Sequence, residues 1–408
     1  MDRPAPLPRA ASDVLARLAA TAPVVVLTGA RQTGKSTLAR MPGAGAGRPY
    51  LTLDDAGVLE QARAQPAALL LRGDRLVVDE VQRAPGLLLA VKAAVDEDRQ
   101  PGRFILTGSA NLLLMKTVAE SLAGRAVYLT LMPMTRREQL GFGRTGNWRT
   151  LLDNDPRSWR DILEADEAPE EPWQDLARRG GYPEPAYHLT SDSARRDWFD
   201  GYAATYLERD LREIAAIDQV SDFRRLMSVA SLRIGNLVNQ ADLARDAGIA
   251  PTTAQRYLGM LDVTYQTVRL PAYAVNRTKR LIKAPKLYWT DTGLAMFLAG
   301  ETDPRGAHLE NIVLADLLAW SALEIPRPSV LYWRTAKGAE VDFVIEDRGS
   351  LLPIEVKSGA ARLADARHLE TFLDEYADRV RAGVLLTTAG GIYWLTRRVL
   401  AAPWWTIV

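Results

Sequence analysis

One run of twelve residues, Leu27 to Leu38, constrains this chain more than any other stretch: LTGARQTGKSTL. The β-forming residues Val24 to Leu27 lead into it, and a helical pattern follows. Glycine, four residues and then Gly-Lys-Ser between a strand and a helix is the spacing of a phosphate-binding loop. Gly29 and Gly34 let the backbone curl so that successive N–H groups face one anion, and the next helix adds its N-terminal dipole. Lys35 is placed to reach β- and γ-phosphates, and the Ser36 hydroxyl to take a position on Mg²⁺. The candidate nucleotide contacts are Gly29, Ala30, Arg31, Gln32, Thr33, Gly34, Lys35, Ser36 and Thr37. Chance produces such a pattern in roughly one chain of this length in a hundred, and the flanking strand weakens chance further.

Downstream, Arg75-Leu-Val-Val-Asp79-Glu80 is an apolar strand ending in two acids. In a parallel sheet the carboxyl ends of strands face the ligand crevice. Asp79 is therefore expected beside the loop, holding Mg²⁺ directly or through water, with Glu80 the candidate base for the attacking water. A strand ending at a solvated turn is the bland account, and the phosphate loop upstream makes it the weaker one. Tyr50 to Asp55 reads as a short strand ending in carboxylates. Phe104 to Thr107 reads as another buried strand, and Thr107, Ser109 or Asn111 beyond it can sense a γ-phosphate. A plain exit into a turn fits that pattern as well. Arg125, after Gly124 and before a strand from Ala126 to Leu131, suits an arginine finger or a sensor; a solvated loop arginine is the alternative.

Composition enters mainly by exclusion. At 408 residues there is length for two or three domains, and 47% hydrophobic with 25% charged residues is ordinary for a globular protein. A net charge of +1 argues neither for nor against nucleic acid, so any basic patch must be local. The absence of cysteine rules out disulfides, zinc-thiolate sites and cysteine nucleophiles. No uninterrupted apolar stretch is long enough for a membrane span, and the first twenty residues lack the apolar core of a signal peptide. The expectation is a cytoplasmic protein with no membrane contact.

The motifs TGARQTGKST, VVDEVQRAP, ILTGSAN and SLAGR, with GGYPE and TYLERDL later, resemble those of prokaryotic AAA+ ATPases that carry a C-terminal domain of unassigned function. The resemblance extends over nearly the whole chain. It implies ATP binding with Lys35, Ser36 and Asp79 around Mg-ATP, Glu80 as catalytic base and polar residues near Ser109 as sensor. It also implies a helical lid and connector over residues 135–218, packed on the nucleotide. One departure is visible: Met132-Pro-Met-Thr135 stands where the family more often has a Pro-Leu-Ser turn. Trp198, Tyr202, Tyr206 and Leu207 fall near helical spacing and read as core, and Gly180-Gly-Tyr-Pro-Glu184 as a tight turn without a catalytic role.

From Asn239 to Leu261 the pattern is helix, turn at Gly248, helix, with Pro251 in the first turn of the second helix. A strand-like segment and a basic run (Arg277, Lys279, Arg280, Lys283, Lys286) follow, which together suggest a winged helix. One reading puts Thr252, Thr253, Gln255 and Arg256 near base edges and the basic run on phosphates of double-stranded DNA. The other makes the module a spacer or protein-interaction surface.

The last constellation begins with Glu310 on a helix expected over His308 to Trp320. Strands follow at Val330–Arg334, Ala339–Glu346 and Ser350–Lys357. Residues two apart on a strand share a face, so Glu355 and Lys357 do, and Asp342 belongs to the neighbouring strand. Two carboxylates can hold Mg²⁺ while an ammonium orients water or stabilises charge at a scissile phosphate. The arrangement resembles the PD-(D/E)xK nuclease core, in which a helix glutamate, here Glu310, adds a ligand. A surface salt bridge is the bland alternative. Val341, Phe343, Ile354 and Val356 place one packed face on these strands, which leaves the charged residues together on the other.

The expected architecture is α/β: an AAA+ P-loop core with parallel sheet (1–134), a helical lid (135–218), a winged-helix domain (219–299) and a restriction-endonuclease-like αβ domain (300–408). The expected function is hydrolysis of Mg-ATP coupled to DNA binding or processing. The alternative is a nucleotide-dependent assembly switch with a non-cleaving C-terminal interaction domain. A homo-oligomer, in which Arg125 acts on the neighbouring subunit, and a separate protein partner both remain open.

Overall fold

A strand buried on both faces needs cover on each side, and Val24–Thr28 (β1) is such a strand, with all five residues buried. In the computed structural model, which describes residues 5–108, 122–205 and 219–408, β1 lies inside a five-stranded sheet. Its companions are Tyr50–Thr52 (β2), Leu76–Asp79 (β3), Phe104–Thr107 (β4) and Ala126–Thr130 (β5), in the order β2-β3-β4-β1-β5. Every pairing is parallel, so all carboxyl ends share one edge. β4 rather than β3 neighbours β1, which puts Thr107 between the phosphate loop and Asp79. Val24, Val26, Val78 and Leu106 pack with Leu88 and Val91 of the helix Leu87–Glu97 in one apolar cluster. Burying each such side chain contributes roughly 1.5–3 kcal/mol.

The chain divides into two units. The first is Met1–Met134 with Gly141–Arg144 and Val263–Tyr265; the second is Thr135–Leu140, Thr145–Asp262 and Gln266–Val408. The segment expected as a lid on the nucleotide thus belongs, in its described part, mainly to the second unit. There its buried arginines hold the chain's last residues. Arg136 donates to the carbonyls of Trp405 and Val408 at 3.1 Å each, and Arg137 to that of Thr406 at 3.0 Å. Glu171 and Asp166 balance their charges, each at 3.0 Å. Tyr206, Leu207 and most of the TYLERDL motif lie outside the described residues. Trp198 and Tyr202 stack with centroids 5.3 Å apart and pack with Tyr182 as core.

The GGYPE turn folds around a buried acid. Gly181 N–H donates to Asp291 Oδ2 at 2.6 Å, and a Cβ at Gly180 would lie 2.4 Å from Asp291 Oδ1. Glycine is required at 180 both for that approach and for its φ of +66°.

Helices Val220–Ser231, Gln240–Ala247 and Pro251–Val263 precede an antiparallel pair, Thr267–Leu270 (β6) and Lys286–Trp289 (β7). Asn239 caps the second helix by accepting from the N–H groups of Ala241 at 3.1 Å and Asp242 at 3.3 Å, and Gly248 closes it at φ +65°.

A six-stranded sheet completes the second unit, in the order β12-β13-β11-β10-β9-β8. Its strands are Ser329–Arg334 (β8), Glu340–Asp347 (β9), Ser350–Lys357 (β10), Gly383–Thr387 (β11), Tyr393–Trp394 (β12) and Val399–Pro403 (β13). β8, β9 and β10 form an antiparallel meander, and β11 returns parallel to β10 through the helix Arg367–Glu375. Helix Gly306–Leu323 packs on β8 and β10.

Within that helix, Asp316 is buried and accepts from Trp148 Nε1 at 2.6 Å and Gly146 N–H at 2.9 Å. Burial pushes its carboxyl up to about 6. A folded-state value above the unfolded value of about 3.9 means that the native state binds the proton more tightly. Stability from this group is then full below about pH 4 and is lost as pH rises through 6. Asp316→Asn keeps an acceptor for Trp148 and is expected to raise stability near neutral pH by roughly 1–3 kcal/mol while flattening the slope between. Urea unfolding of both proteins at about pH 4.5 and 7.5 measures this.

Candidate functional site

The phosphate loop turns back on itself between β1 and the helix Lys35–Arg40. Gly29 sits at φ +138°, Gln32 at +59° and Gly34 at +94°. A Cβ at Gly29 would come within 2.3 Å of the Leu131 carbonyl, so no larger residue fits. Arg9, buried, ties the loop down from outside by donating to the carbonyls of Thr33 at 2.8 Å and Met132 at 2.7 Å. The Thr33 hydroxyl donates to Ala30 O at 3.0 Å. Lys35 is 6% exposed and folds its ammonium onto the loop's own carbonyls, Ala30 at 2.7 Å and Gly29 at 3.1 Å.

Asp79, at the end of β3, gathers hydroxyls from three directions. Ser36 Oγ donates to both carboxylate oxygens, at 2.9 and 3.0 Å. Tyr50, from β2, donates to Oδ2 at 2.5 Å, and Thr107, from β4, donates to Oδ1. Burial, then the bond to Asp79, pushes the Tyr50 phenol up to about 12, so it stays a donor. A hydroxyl and a carboxylate in contact at the foot of the loop are the hard oxygen donors Mg²⁺ takes, so the residues present fit that ion. Glu80 follows in a left-handed conformation, φ 58° and ψ 42°, uncommon for a residue with a side chain and worth roughly 1–3 kcal/mol of strain. Its carboxylate accepts from the side chain of Gln82.

The structure joins Ser36 to Asp79, with Lys35 and Glu80 next to them along the chain. It does not bring Arg125 to them. β5 pairs Ala126 with Val24, the first residue of β1, so Arg125 stands at the amino-terminal edge of the sheet, away from the loop. There it holds Asp96 with two bonds, 2.5 and 2.9 Å. Ser109 and Asn111 lie outside the described residues. Tyr50, Gln82 and Arg9 were missed. Tyr50 heads a strand whose partner ends in Asp79, which is a usable signal; Arg9 has none in its local sequence.

A second cluster gathers at β9 and β10. Asp342 and Glu355 are 7% and 4% exposed, so the face expected to be polar is covered rather than solvated. Val356 N–H donates to Asp342 Oδ2 at 2.9 Å, and Lys357 Nζ donates to Glu355 Oε1 at 2.5 Å. Glu310 joins from the helix Gly306–Leu323, accepting from Tyr288 OH at 3.3 Å. Burial and the Asp342 charge push both Glu355 and Glu310 well above the usual carboxylate range. Burial alone pulls Lys357 down, but Glu355 and Asp342 outweigh it and raise it.

Lys286 completes this cluster, with its ammonium 2.5 Å from Glu340 and 3.9 Å from Asp342. Read in the sequence as part of a phosphate-binding run, it is 4% exposed and neutralises the carboxylates instead. Arg280 of the same run is likewise consumed, with two bonds to Glu346 at 2.6 and 3.1 Å over the Tyr273 ring. Among the described residues, no three His, Cys, Asp or Glu side chains are arranged to hold a metal ion.

Comparison with known proteins agrees with the first unit's geometry. Residues 21–140 match the family model described as AAA domain. Residues 170–305 and 305–407 match models described as domains of unknown function, DUF8612 and DUF4143. Uncharacterized protein Rv2008c of Mycobacterium tuberculosis and Uncharacterized protein Mb2031c of Mycobacterium bovis are each 34% identical over 359 residues, covering 86% of this chain and 73% of theirs. The chain belongs to their family. Its first unit carries a P-loop ATPase domain of the AAA type. Among solved structures, the Walker-type ATPase PABY2304 of Pyrococcus abyssi is 16% identical and covers 72% of this chain and 99% of its own, with a TM-score of 0.45. That likeness is too distant to bear on function. No described helix is long and apolar enough to cross a membrane.

Lys35→Ala removes the one ammonium folded into the loop. Nucleotide affinity is expected to fall at least about tenfold, the scale of a lost charge-assisted bond, with titration calorimetry against ATP as the measurement.

Proposed function

We propose that the chain hydrolyses Mg-ATP in its first unit and uses the turnover to act on DNA through its second. The observation that carries the first part is the meeting of Ser36, Tyr50 and Thr107 on Asp79, with Glu80 directly after it. In this reading Lys35 leaves the loop carbonyls for the β- and γ-phosphates, and the loop N–H groups bind the same anion. Ser36 and Asp79 would hold Mg²⁺, which would supply positive charge against the phosphates. Glu80 accepts a proton from the attacking water, and Gln82 holds its carboxylate in place until then.

The DNA-directed part rests on the second cluster. An αβββαβ order of elements, with Asp342 and Glu355 on adjoining strands and Lys357 two residues on, supports a PD-(D/E)xK-type reading. Asp342, Glu355 and Glu310 have the donor chemistry for a divalent cation, and Lys357 would orient water or stabilise charge on a phosphate. Three helices followed by an antiparallel strand pair support a winged helix, in which Thr252, Gln255 and Arg256 are exposed and Thr253 half-buried.

One observation favours the switch reading: Lys286 and Lys357 pair with carboxylates of the cluster. A cluster of that kind suits a non-cleaving partner surface. Arg125, remote from its own phosphate loop, keeps its proposed role only as a group offered to a neighbouring subunit.

Glu80→Gln is expected to retain ATP while slowing hydrolysis by roughly two to four orders of magnitude, as for loss of a general base; steady-state phosphate release measures it, and unchanged turnover removes Glu80 as base. With Mg²⁺ or Mn²⁺ and ATP, the parent chain is expected to nick or cut DNA and Lys357→Ala to lose that activity. No cleavage by a preparation that still hydrolyses ATP favours the switch.

A further inference from the structure

The helices Gln240–Ala247 and Thr292–Ala299 close with the same hydrogen bond. In the first, Ile249 N–H donates to Ala244 O at 3.0 Å across Gly248, which sits at φ +65°. In the second, Glu301 N–H donates to Met296 O at 3.0 Å across Gly300, at φ +69°. This six-residue closure sets the residue before the donor in the left-handed region, where glycine has no Cβ to strain. Helix Pro251–Val263 closes in the same way, with Gln266 N–H donating to Leu261 O at 2.8 Å. The residue in the glycine position is Tyr265, at φ +57°. For a bulky side chain that backbone is an outlier, and such outliers persist where surrounding contacts fix them, often at sites of function.

The contact made by Tyr265 points to its use. Val263–Tyr265 belongs to the first unit, while Asp262 and Gln266 on either side belong to the second. Within the first unit the Tyr265 hydroxyl donates to Thr28 Oγ1 at 3.2 Å. Thr28 is fully buried and ends β1, and the next residue is Gly29, where the phosphate loop begins. The Thr28 carbonyl accepts from Leu131 N–H at 2.8 Å, and its hydroxyl lies 3.3 Å from that of Thr130. The root of the loop is thus held by its backbone from β5 and by its side chain from Thr130 and Tyr265. A glycine at 265 would close the helix with less strain and leave Thr28 without the phenol.

We propose that Tyr265 is a positioning residue for the nucleotide site: through Thr28 its hydroxyl fixes the root of the phosphate loop. The same residue forms the stop of helix Pro251–Val263, so loop occupancy and the order of that helix end are linked. Linkage is reciprocal: what the hydroxyl contributes to nucleotide binding, bound nucleotide contributes to the helix end. The proposal rests on the nucleotide reading of Lys35, Ser36 and Asp79.

The test is calorimetric titration of the full chain with ATP, beside amide hydrogen exchange of residues 263–266 with and without ATP. Tyr265→Phe keeps the ring and the backbone and loses only the hydroxyl. It is expected to bind ATP roughly three- to tenfold more weakly, the scale of one lost hydrogen bond. ATP is expected to slow exchange at 263–266 in the parent chain and not in this variant. Thr28→Val removes the same bond from its other end, and adding Tyr265→Phe to it is expected to weaken binding no further. Thr28→Ser keeps the acceptor and is expected to bind as the parent does. Melting temperatures without nucleotide report whether each variant folds; a purely structural tyrosine lowers them and leaves affinity and the exchange response alone. Parent-like affinity in Tyr265→Phe or in Thr28→Val, or additive losses in the double variant, overturns the role of Tyr265 and spares the nucleotide reading. A parent chain that binds no ATP overturns both.

Discussion

A buried carboxylate costs several kcal/mol unless its lone pairs are filled, and Asp79 fills them with hydroxyls drawn from three separate elements. That requirement organises the first unit. Ser36 can reach Asp79 only if the loop after β1 turns sharply, which the close approach of Gly29 to Leu131 permits. Thr107 can reach it only because β4 runs between β1 and β3. Tyr50 can reach it because β2 lies outside β3, with Thr52 paired to Asp79 itself. The hydroxyls that satisfy the carboxylate also fix its orientation, so the site's preorganisation and the sheet's strand order are one constraint.

The second unit handles buried charge by a different route, pairing cations and anions within the fold. Arg136 with Glu171, Arg137 with Asp166, and Arg280 with Glu346 each bring distant segments together at 3.0 Å or less. Desolvation consumes much of the attraction in such pairs, so their larger effect is on which segments meet. Around Asp342 the balance is tighter: Glu310, Glu340, Asp342 and Glu355 lie near the two ammonium groups of Lys286 and Lys357, and burial, then the Asp342 charge, lifts Glu310 and Glu355.

How far the sequence could be read depended on whether the informative neighbours were local. Strand after strand of the first unit was legible because apolar runs ended in polar residues, and Gly29, Gly34 and Lys35 carry their chemistry in their spacing. The helix over Glu310 and the three strands after it were legible by periodicity. Tertiary charge was not. Nothing beside Arg280 or Lys286 shows that Glu346 and Glu340 will claim them, and a basic run reads alike whether it faces solvent or a carboxylate. The place of Arg125 was hidden for a related reason. A glycine-arginine pair before a strand says nothing about which end of the sheet it occupies, whereas the pairing of Ala126 with Val24 decides it. The covered face of β9 was equally hidden, because alternation separates two faces without saying that both will be buried.

The fold of Lys35 onto Ala30 and Gly29 gives a buried ammonium its partners inside the loop itself. A buried charge is costly unless paired, and here the pairing comes from main-chain carbonyls. Main-chain groups cannot be lost to a side-chain substitution, so the loop carries its own solvation for the charge it buries.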